Sequence, residues 1–460
     1  MIPLSLIQRQ TRQLQRCLVA AKPLAQLRRL HLSVQERSGS FPPIAPTRPD
    51  IDFRISRGLT APTLALHSHT HARVVVAKQT SDEELLEHPF RSFEEVKRLV
   101  QTRDWPPVPS LSVEDFVARR QENKSAPLVF DVRSPEEFED GHIPGAQNLP
   151  LLQNDQRVEV GKAFRHVGPS AALSMALAHV FPKLPDLLSS ARSKQQEGQQ
   201  SADEKIVIYC KRGGLRSQSV AAFLSQHGLQ VELLEGGYKG FRTWATSIFQ
   251  RPQRVCILGG STGSGKTEVL AELQRDCQVV DLEALAHHKG SVFGHLGEPA
   301  QPSSEQFRND LALQWAELDA ERLVFLEDEG SFIGRVCLPA ALWKQMRQAP
   351  VVLHLDVPFE LRAKRSLETY GGYGVEALSE VVLNFQKQMG RPKTEELLAK
   401  LKAGDLQSVC EEVLANYDRS YAHHLRKGRD PSHFRTLAVA TMDARSVAED
   451  VRQLLSDQKL

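Results

Sequence analysis

A cysteine followed by a basic, glycine-bearing loop, Tyr209-Cys210-Lys211-Arg212-Gly213-Gly214-Leu215-Arg216-Ser217, is the first stretch whose residue types could do chemistry. It stands between a short apolar run, Ile206 to Tyr209, and a helical stretch, Ser217 to His227. A loop folded round Cys210, with Gly213 and Gly214 allowing tight turns, aims backbone N–H groups and a helix dipole at the sulfur, and Arg212 and Arg216 add positive charge. Such surroundings favour a thiolate, or an anionic persulfide or perselenide carried on it. The spacing from Cys210 to Arg216 also suits cysteine phosphatases, so this loop alone leaves its reaction open.

A second constellation, Gly260-Ser-Thr-Gly263-Ser264-Gly265-Lys266-Thr267, fits the phosphate-loop pattern G-x-x-x-x-G-K-[ST]. It follows the apolar run Val255 to Leu258 and opens a helix, the context that the pattern requires. N–H groups from Gly263 to Thr267 would wrap a diphosphate, Lys266 would neutralise it, and the Thr267 hydroxyl would reach a Mg²⁺. Downstream, Leu323 to Leu326 leads into Glu327-Asp328-Glu329, acids at a strand end where P-loop proteins keep a metal-binding or base-like carboxylate. Asp281, after the preceding strand, joins them as a candidate, and the sequence leaves open which acid faces the site. His288 and Lys289 sit in a glycine-bearing loop where contact with phosphate or RNA competes with simple surface polarity. The adjacent His287 and His288 would point to different faces of a helix, which makes a poor metal site.

Both loops require a buried strand before them and a helix after, and the chain alternates in that way. Expected elements are a helix from Ser112 to Arg120, a strand Leu128 to Asp131, helices Pro135 to Glu139, Ala171 to His179 and Leu184 to Ala191, and strands Ile206 to Tyr209 and Val231 to Leu234. Ser193 to Glu204, with four glutamines, reads as a polar low-complexity insertion. Beyond Arg251-Pro252, taken as the domain boundary, strands Val255 to Leu258, Val279 to Leu282, Leu323 to Leu326 and Val351 to Leu355 alternate with helices Thr267 to Arg275, Ser304 to Glu321 and Pro339 to Gln348. Phe359 to about Lys427 is helical in pattern. Such alternation predicts an α/β fold of parallel sheets.

With 460 residues, 41% hydrophobic and 25% charged, the chain exceeds one core and sits in the globular class, without an apolar run long enough to span a bilayer. A net charge of +2 leaves nucleic-acid affinity to local patches. Six cysteines lack the paired spacings of zinc sites or disulfide scaffolds, and apart from Cys210 they read as small buried hydrophobes. Residues 1–35 carry Arg9, Arg12, Arg16, Lys22, Arg28 and Arg29 with no acid, the make-up of an organelle transit peptide, mitochondrial in preference to plastid, with a basic disordered tail as the alternative. Residues 36–108 read as linker with a short helix at their end, where Phe93, Val96 and Val100 recur at helical spacing. Residues 109–250 then form one domain and 251–460 a second with a helical C-terminal part.

The stretch Asp131-Val-Arg133-Ser-Pro-Glu-Glu-Phe138-Glu-Asp-Gly141-His142-Ile143-Pro-Gly145-Ala-Gln-Asn148-Leu-Pro150 closely resembles the signature that precedes the active-site cysteine in the rhodanese family. A rhodanese-like domain followed by a P-loop domain, read with Glu235-Gly-Gly-Tyr238-Lys239, Asp281 to Gly294, Leu326 to Glu329, Ile333-Gly334, Asn416-Tyr417-Asp418 and Tyr421, resembles the bacterial tRNA 2-selenouridine synthase family. That resemblance implies replacement of sulfur by selenium at C2 of wobble 2-thiouridine in tRNA. Selenophosphate and geranyl diphosphate are the implied co-substrates, with an S-geranyl intermediate and Cys210 as the catalytic sulfur. A competing reading is an ATP-dependent sulfurtransferase or kinase fused to a persulfide carrier. A third, a rhodanese-like scaffold without activity, is disfavoured by the intact Cys210 and Lys266.

Overall fold

The computed structural model describes residues 98, 100, 102, 107–122, 127–197, 204–291, 293–384 and 386–457. Residues 1–97, with the expected transit peptide and almost all of the linker, lie outside these. The first sheet comprises β1 (Ser110–Leu111), β2 (Val129–Asp131), β3 (Gln147–Asn148), β4 (Ile206–Tyr209) and β5 (Val231–Leu234), in the order β1-β5-β4-β2-β3. The second comprises β6 (Arg254–Gly260), β7 (Gln278–Val279), β8 (Leu323–Glu327), β11 (Val351–Asp356) and β12 (Phe434–Ala438), in the order β12-β11-β6-β8-β7. Every pairing within both sheets is parallel. Both sheets therefore have the expected parallel α/β arrangement. β4 and β6, central in their sheets, are buried along nearly their whole length, which is why Ile206–Tyr209 and Val255–Leu258 are continuously apolar.

The two sheets share one core. Phe116, Tyr209, Tyr238, Phe241 and Phe249 of the first part pack in the same apolar cluster as Ile257, Phe307, Leu311, Trp315 and Leu326 of the second. Each such side chain, fully buried, contributes about 1.5–3 kcal/mol, so the domains are held as one body. Between them, Gln345 Nε2 donates to the carbonyls of Phe249 (2.7 Å) and Arg251 (3.2 Å), clamping the connecting chain.

Several elements depart from the sequence expectation. The strand expected to reach Leu282 stops at Val279, because Asp281 caps the helix Leu282–Ala286 by accepting from the Ala284 N–H at 2.7 Å. The helix Leu184–Glu197 runs on into the stretch read as a low-complexity insertion, of which residues 198–203 lie outside the described residues. The helix from Ser304 ends at Ala316, five residues early. Among the described residues the helix Asn154–His166 was not foreseen, since only Val160 and Ala163 of its residues are buried. Nor was the hairpin β9 (Phe332–Ile333) with β10 (Val336–Cys337), whose strands are too short for a pattern.

Candidate functional site

Cys210 follows β4 directly, and the loop Lys211 to Gly214 leads into the helix Leu215–Gln226. The segment after β5 closes the loop from the other side. The Tyr238 N–H donates to the Cys210 carbonyl and the Lys239 N–H to the Lys211 carbonyl, both at 2.9 Å. Gly237, at φ +57°, lies so close to the Cys210 carbonyl and the Gly213 nitrogen that a side chain there would overlap the loop backbone. Gly213 turns at φ +65° and Gly214 caps the helix. The Ser217 hydroxyl donates to Cys210 Sγ at 3.2 Å. Arg212 has a buried Nε without a partner among the described residues.

Arg216 does not reach outward. It donates to Glu137 Oε2 at 2.8 Å, and Arg157 approaches the same oxygen at 2.8 Å. Burial would push the Glu137 carboxyl up, but Arg216, then Arg157 and Arg133, hold it down at about 2. Burial likewise pulls the Arg216 guanidinium down, while Glu137 and Cys210 outweigh it and raise it. The cysteine set apart as the reactive one is a buried residue, 3% exposed. Of the others, Cys256 is fully buried, and burial pushes its thiol up to about 12. Cys277, Cys337 and Cys410 are only half-buried, short of the expected burial, and Cys17 lies outside the described residues.

In the second domain Gly260 to Thr267 forms the expected loop between β6 and the helix Lys266–Leu273. Gly263 and Gly265 stand at φ +81° and +82°, a backbone that side chains resist. Lys266 Nζ donates to the Gly260 carbonyl at 2.8 Å, folded back along the cradle. The Ser264 hydroxyl is buried without a partner among the described residues. These residues wall one side of a cleft of about 860 Å³, whose lining also includes Glu283, Lys289, Asp328, Glu329, Trp343 and Tyr421.

The acids divide by role. Glu327 is fully buried and accepts from the Leu282 N–H at 2.9 Å; burial, reinforced by Asp281 and Glu283, pushes its carboxyl well up. Neither Glu327 nor Asp281, the helix cap, lines the cleft. Asp328 does, but it accepts from Arg429 at 2.5 Å and from the Tyr421 hydroxyl at 3.1 Å, and that hydroxyl in turn accepts from the Gly260 N–H at 2.8 Å. Asp328 is thus a strut under the phosphate loop. Glu329 faces Glu283, which sequence reasoning passed over although it stands in the quoted Asp281 to Gly294 stretch. Thr267 Oγ1 donates to Glu283 Oε2 at 3.3 Å. Burial and then Glu283 push the Glu329 carboxyl well up, and burial raises Glu283 against the opposing charge of Lys266.

Among the described residues no three carboxylate, thiol or imidazole groups converge as a metal site. Thr267 and Glu283 nonetheless offer the hard oxygens that suit Mg²⁺, an ion that typically takes one or two protein carboxylates and completes its shell with phosphate and water. Lys289 lines the cleft and pairs with Glu298 at 3.0 Å; His288 does not line it, and burial, then His295, holds its imidazole down.

None of the cysteine-loop residues lines this cleft. The segment behind the cysteine loop is joined to the second domain through the helix Ser304–Ala316: the Tyr238 hydroxyl donates to Glu305 at 2.7 Å and accepts from Asn309 at 2.9 Å. Ser303 and Gln306 on the same helix start bond the Asp140 carbonyl (2.6 Å) and the His142 N–H (2.8 Å) of the first domain.

Residues 112–243 match the rhodanese-like domain family, and residues 253–403 match the family described as tRNA 2-selenouridine synthase AAA domain. A tRNA 2-selenouridine synthase of Shewanella loihica is 34% identical over 340 residues, covering 66% of this chain and 88% of that protein. A protein of the same name from Salmonella typhi is 39% identical over 256 residues, covering 53% of this chain and 66% of its own. A solved protein of Thermus thermophilus is similar at 19% identity over 45% of this chain and 98% of its own, with a TM-score of 0.26.

Proposed function

Because the chain belongs to the tRNA 2-selenouridine synthase family, we propose that it is a transferase that exchanges sulfur for selenium at C2 of the wobble 2-thiouridine of tRNA. Geranyl diphosphate and selenophosphate are its co-substrates in this reading. A thione sulfur leaves poorly, so the first step is alkylation: the sulfur attacks C1 of the prenyl group, the C1–O bond breaks, and diphosphate departs with the electron pair into the cradle of Gly263 to Thr267. Lys266 and the loop N–H groups balance that charge. A Mg²⁺ bound by Thr267 and Glu283 would neutralise more of it. The selenium of selenophosphate then adds at C2, the C2–S bond breaks as geranylthiolate leaves with its electron pair, and water cleaves the Se–P bond to release phosphate, with Cys210 as the nucleophilic sulfur serving this half.

The observation that carries the prenyl donor is what adjoins the phosphate loop. Thr262, Ser366, Tyr370 and Tyr417 line the cleft or its rim and also border an apolar chamber walled by Phe293, Leu378, Leu401, Val409 and Leu414. The chamber holds only about 30 Å³ as it stands, so a ten-carbon chain enters by displacing the shared tyrosines. Because the sulfur loop and the cleft are separate, the tRNA presents its base to each in turn. Residues 1–35 are proposed as a mitochondrial leader on their acid-free, arginine-rich make-up.

The test is mass spectrometry of tRNA nucleosides after incubation with each variant. Lys266→Ala should abolish S-geranylation, with ATP a weak competitor in the wild type. Cys210→Ala should accumulate S-geranyl-2-thiouridine and make no selenouridine. Geranylation at an unchanged rate in Lys266→Ala would remove the prenyl donor from that loop.

A further inference from the structure

The cleft is larger than a diphosphate needs, and one stretch of its wall has no role in the reaction so far. The helix Ala340–Arg347 supplies it. Leu342 and Met346 point into the shared core, and Gln345 holds the connection between the domains. Trp343 and Arg347, one turn apart, instead line the cleft, with Lys427 and Gly428 also in its wall. Trp343 is half-buried and belongs to no core cluster, so packing does not account for an indole there. The Arg347 guanidinium lies 5.1 Å from the indole ring centroid. Arg426 and the cleft-lining Lys427 are exposed at the end of the helix Leu406–Arg426.

An indole face flanked by a guanidinium, in a basic-rimmed cleft, has the chemistry that receives an unstacked nucleobase, because every base offers a π face and the nearby cations meet its phosphates. We propose that Trp343 and Arg347 form the stacking seat for the tRNA base that accepts the group activated at the phosphate loop. The inference rests on the reaction proposed above for its acceptor. The seat places the base in the same cavity as the cradle from Gly263 to Thr267, while Tyr370 and Tyr417, unlike Trp343, also border the apolar chamber where the donor chain would lie. Trp343 is a binding and positioning residue, with no part in bond making.

Binding is measured directly, without turnover, with a 2-thiouridine anticodon stem-loop, with inorganic diphosphate and with ATP. Trp343→Ala should weaken the stem-loop by roughly 5- to 150-fold, the range for loss of one base stack, and leave diphosphate binding unchanged. Trp343→Phe, which keeps an aromatic face and the packing, should recover most of the affinity. In turnover the KM for tRNA should rise with that for geranyl diphosphate unaltered. Unchanged stem-loop binding by a folded Trp343→Ala protein overturns the proposal. Weakened ATP binding with RNA binding intact also overturns it, since the indole would then seat the base of a free nucleotide. A wild-type protein that binds the stem-loop through Trp343 but never alkylates it would sink the reaction scheme and leave the seat standing.

Discussion

The Tyr238 hydroxyl donates to the Glu305 carboxylate at 2.7 Å, joining the segment that backs the Cys210 loop to the helix Ser304–Ala316 of the P-loop domain. Asn309, fully buried, donates to the same hydroxyl, and the Arg133 guanidinium lies 4.0 Å from the Tyr238 ring centroid. Burial pushes the Tyr238 phenol well above its ordinary range, so it remains a donor at any working pH.

Tyr238→Phe should therefore destabilise the protein by about 1–3 kcal/mol, the cost of leaving the buried Asn309 amide without its partner. Because one apolar cluster runs through both domains, denaturant unfolding followed by two probes should give one coincident transition in the wild type. Two separated transitions would contradict the shared core.

Asp328→Asn is expected to act on stability. It removes the partner of the buried Arg429 and weakens the hold on Tyr421, for a loss of about 3–5 kcal/mol. Adding Arg429→Met should recover most of it in urea melts. Loss of activity with full stability would instead make Asp328 a ligand-binding acid.

Acid should loosen the cysteine loop through Glu137. Its carboxyl is held at about 2 in the folded state against an ordinary value of 4.5, so its contribution is present above about 4.5 and is lost as pH falls towards 2. The linkage is worth at most about 3 kcal/mol. Glu137→Gln should flatten that part of the stability profile, and an identical acid profile would show that the Arg216 pair is neutral to stability.

Removal of residues 1–85 should leave tRNA modification intact in vitro while the truncated protein, expressed in cells, no longer enters the organelle. Fractionation with an activity assay checks both halves. A soluble truncated protein without activity would assign the segment to the fold.

The elements that carry chemistry were legible in the sequence because each depends on a local pattern. The runs Ile206–Tyr209 and Val255–Leu258 are apolar because both faces of a central parallel strand are buried, and the glycine-rich loops after them need particular residues at fixed offsets. Both reactive loops and the α/β class followed from that. The tertiary structure decided what pattern does not encode. That Asp328 is engaged by Arg429, about a hundred residues away in the chain, that Glu283 rather than Asp281 meets Thr267, and that the backbone of the Cys210 loop is held by Tyr238 and Gly237 depend on contacts between elements remote in sequence. Composition also could not show that the two domains share a core, because the apolar faces of Phe249 and Trp315 look alike in sequence whether they pack within a domain or across two.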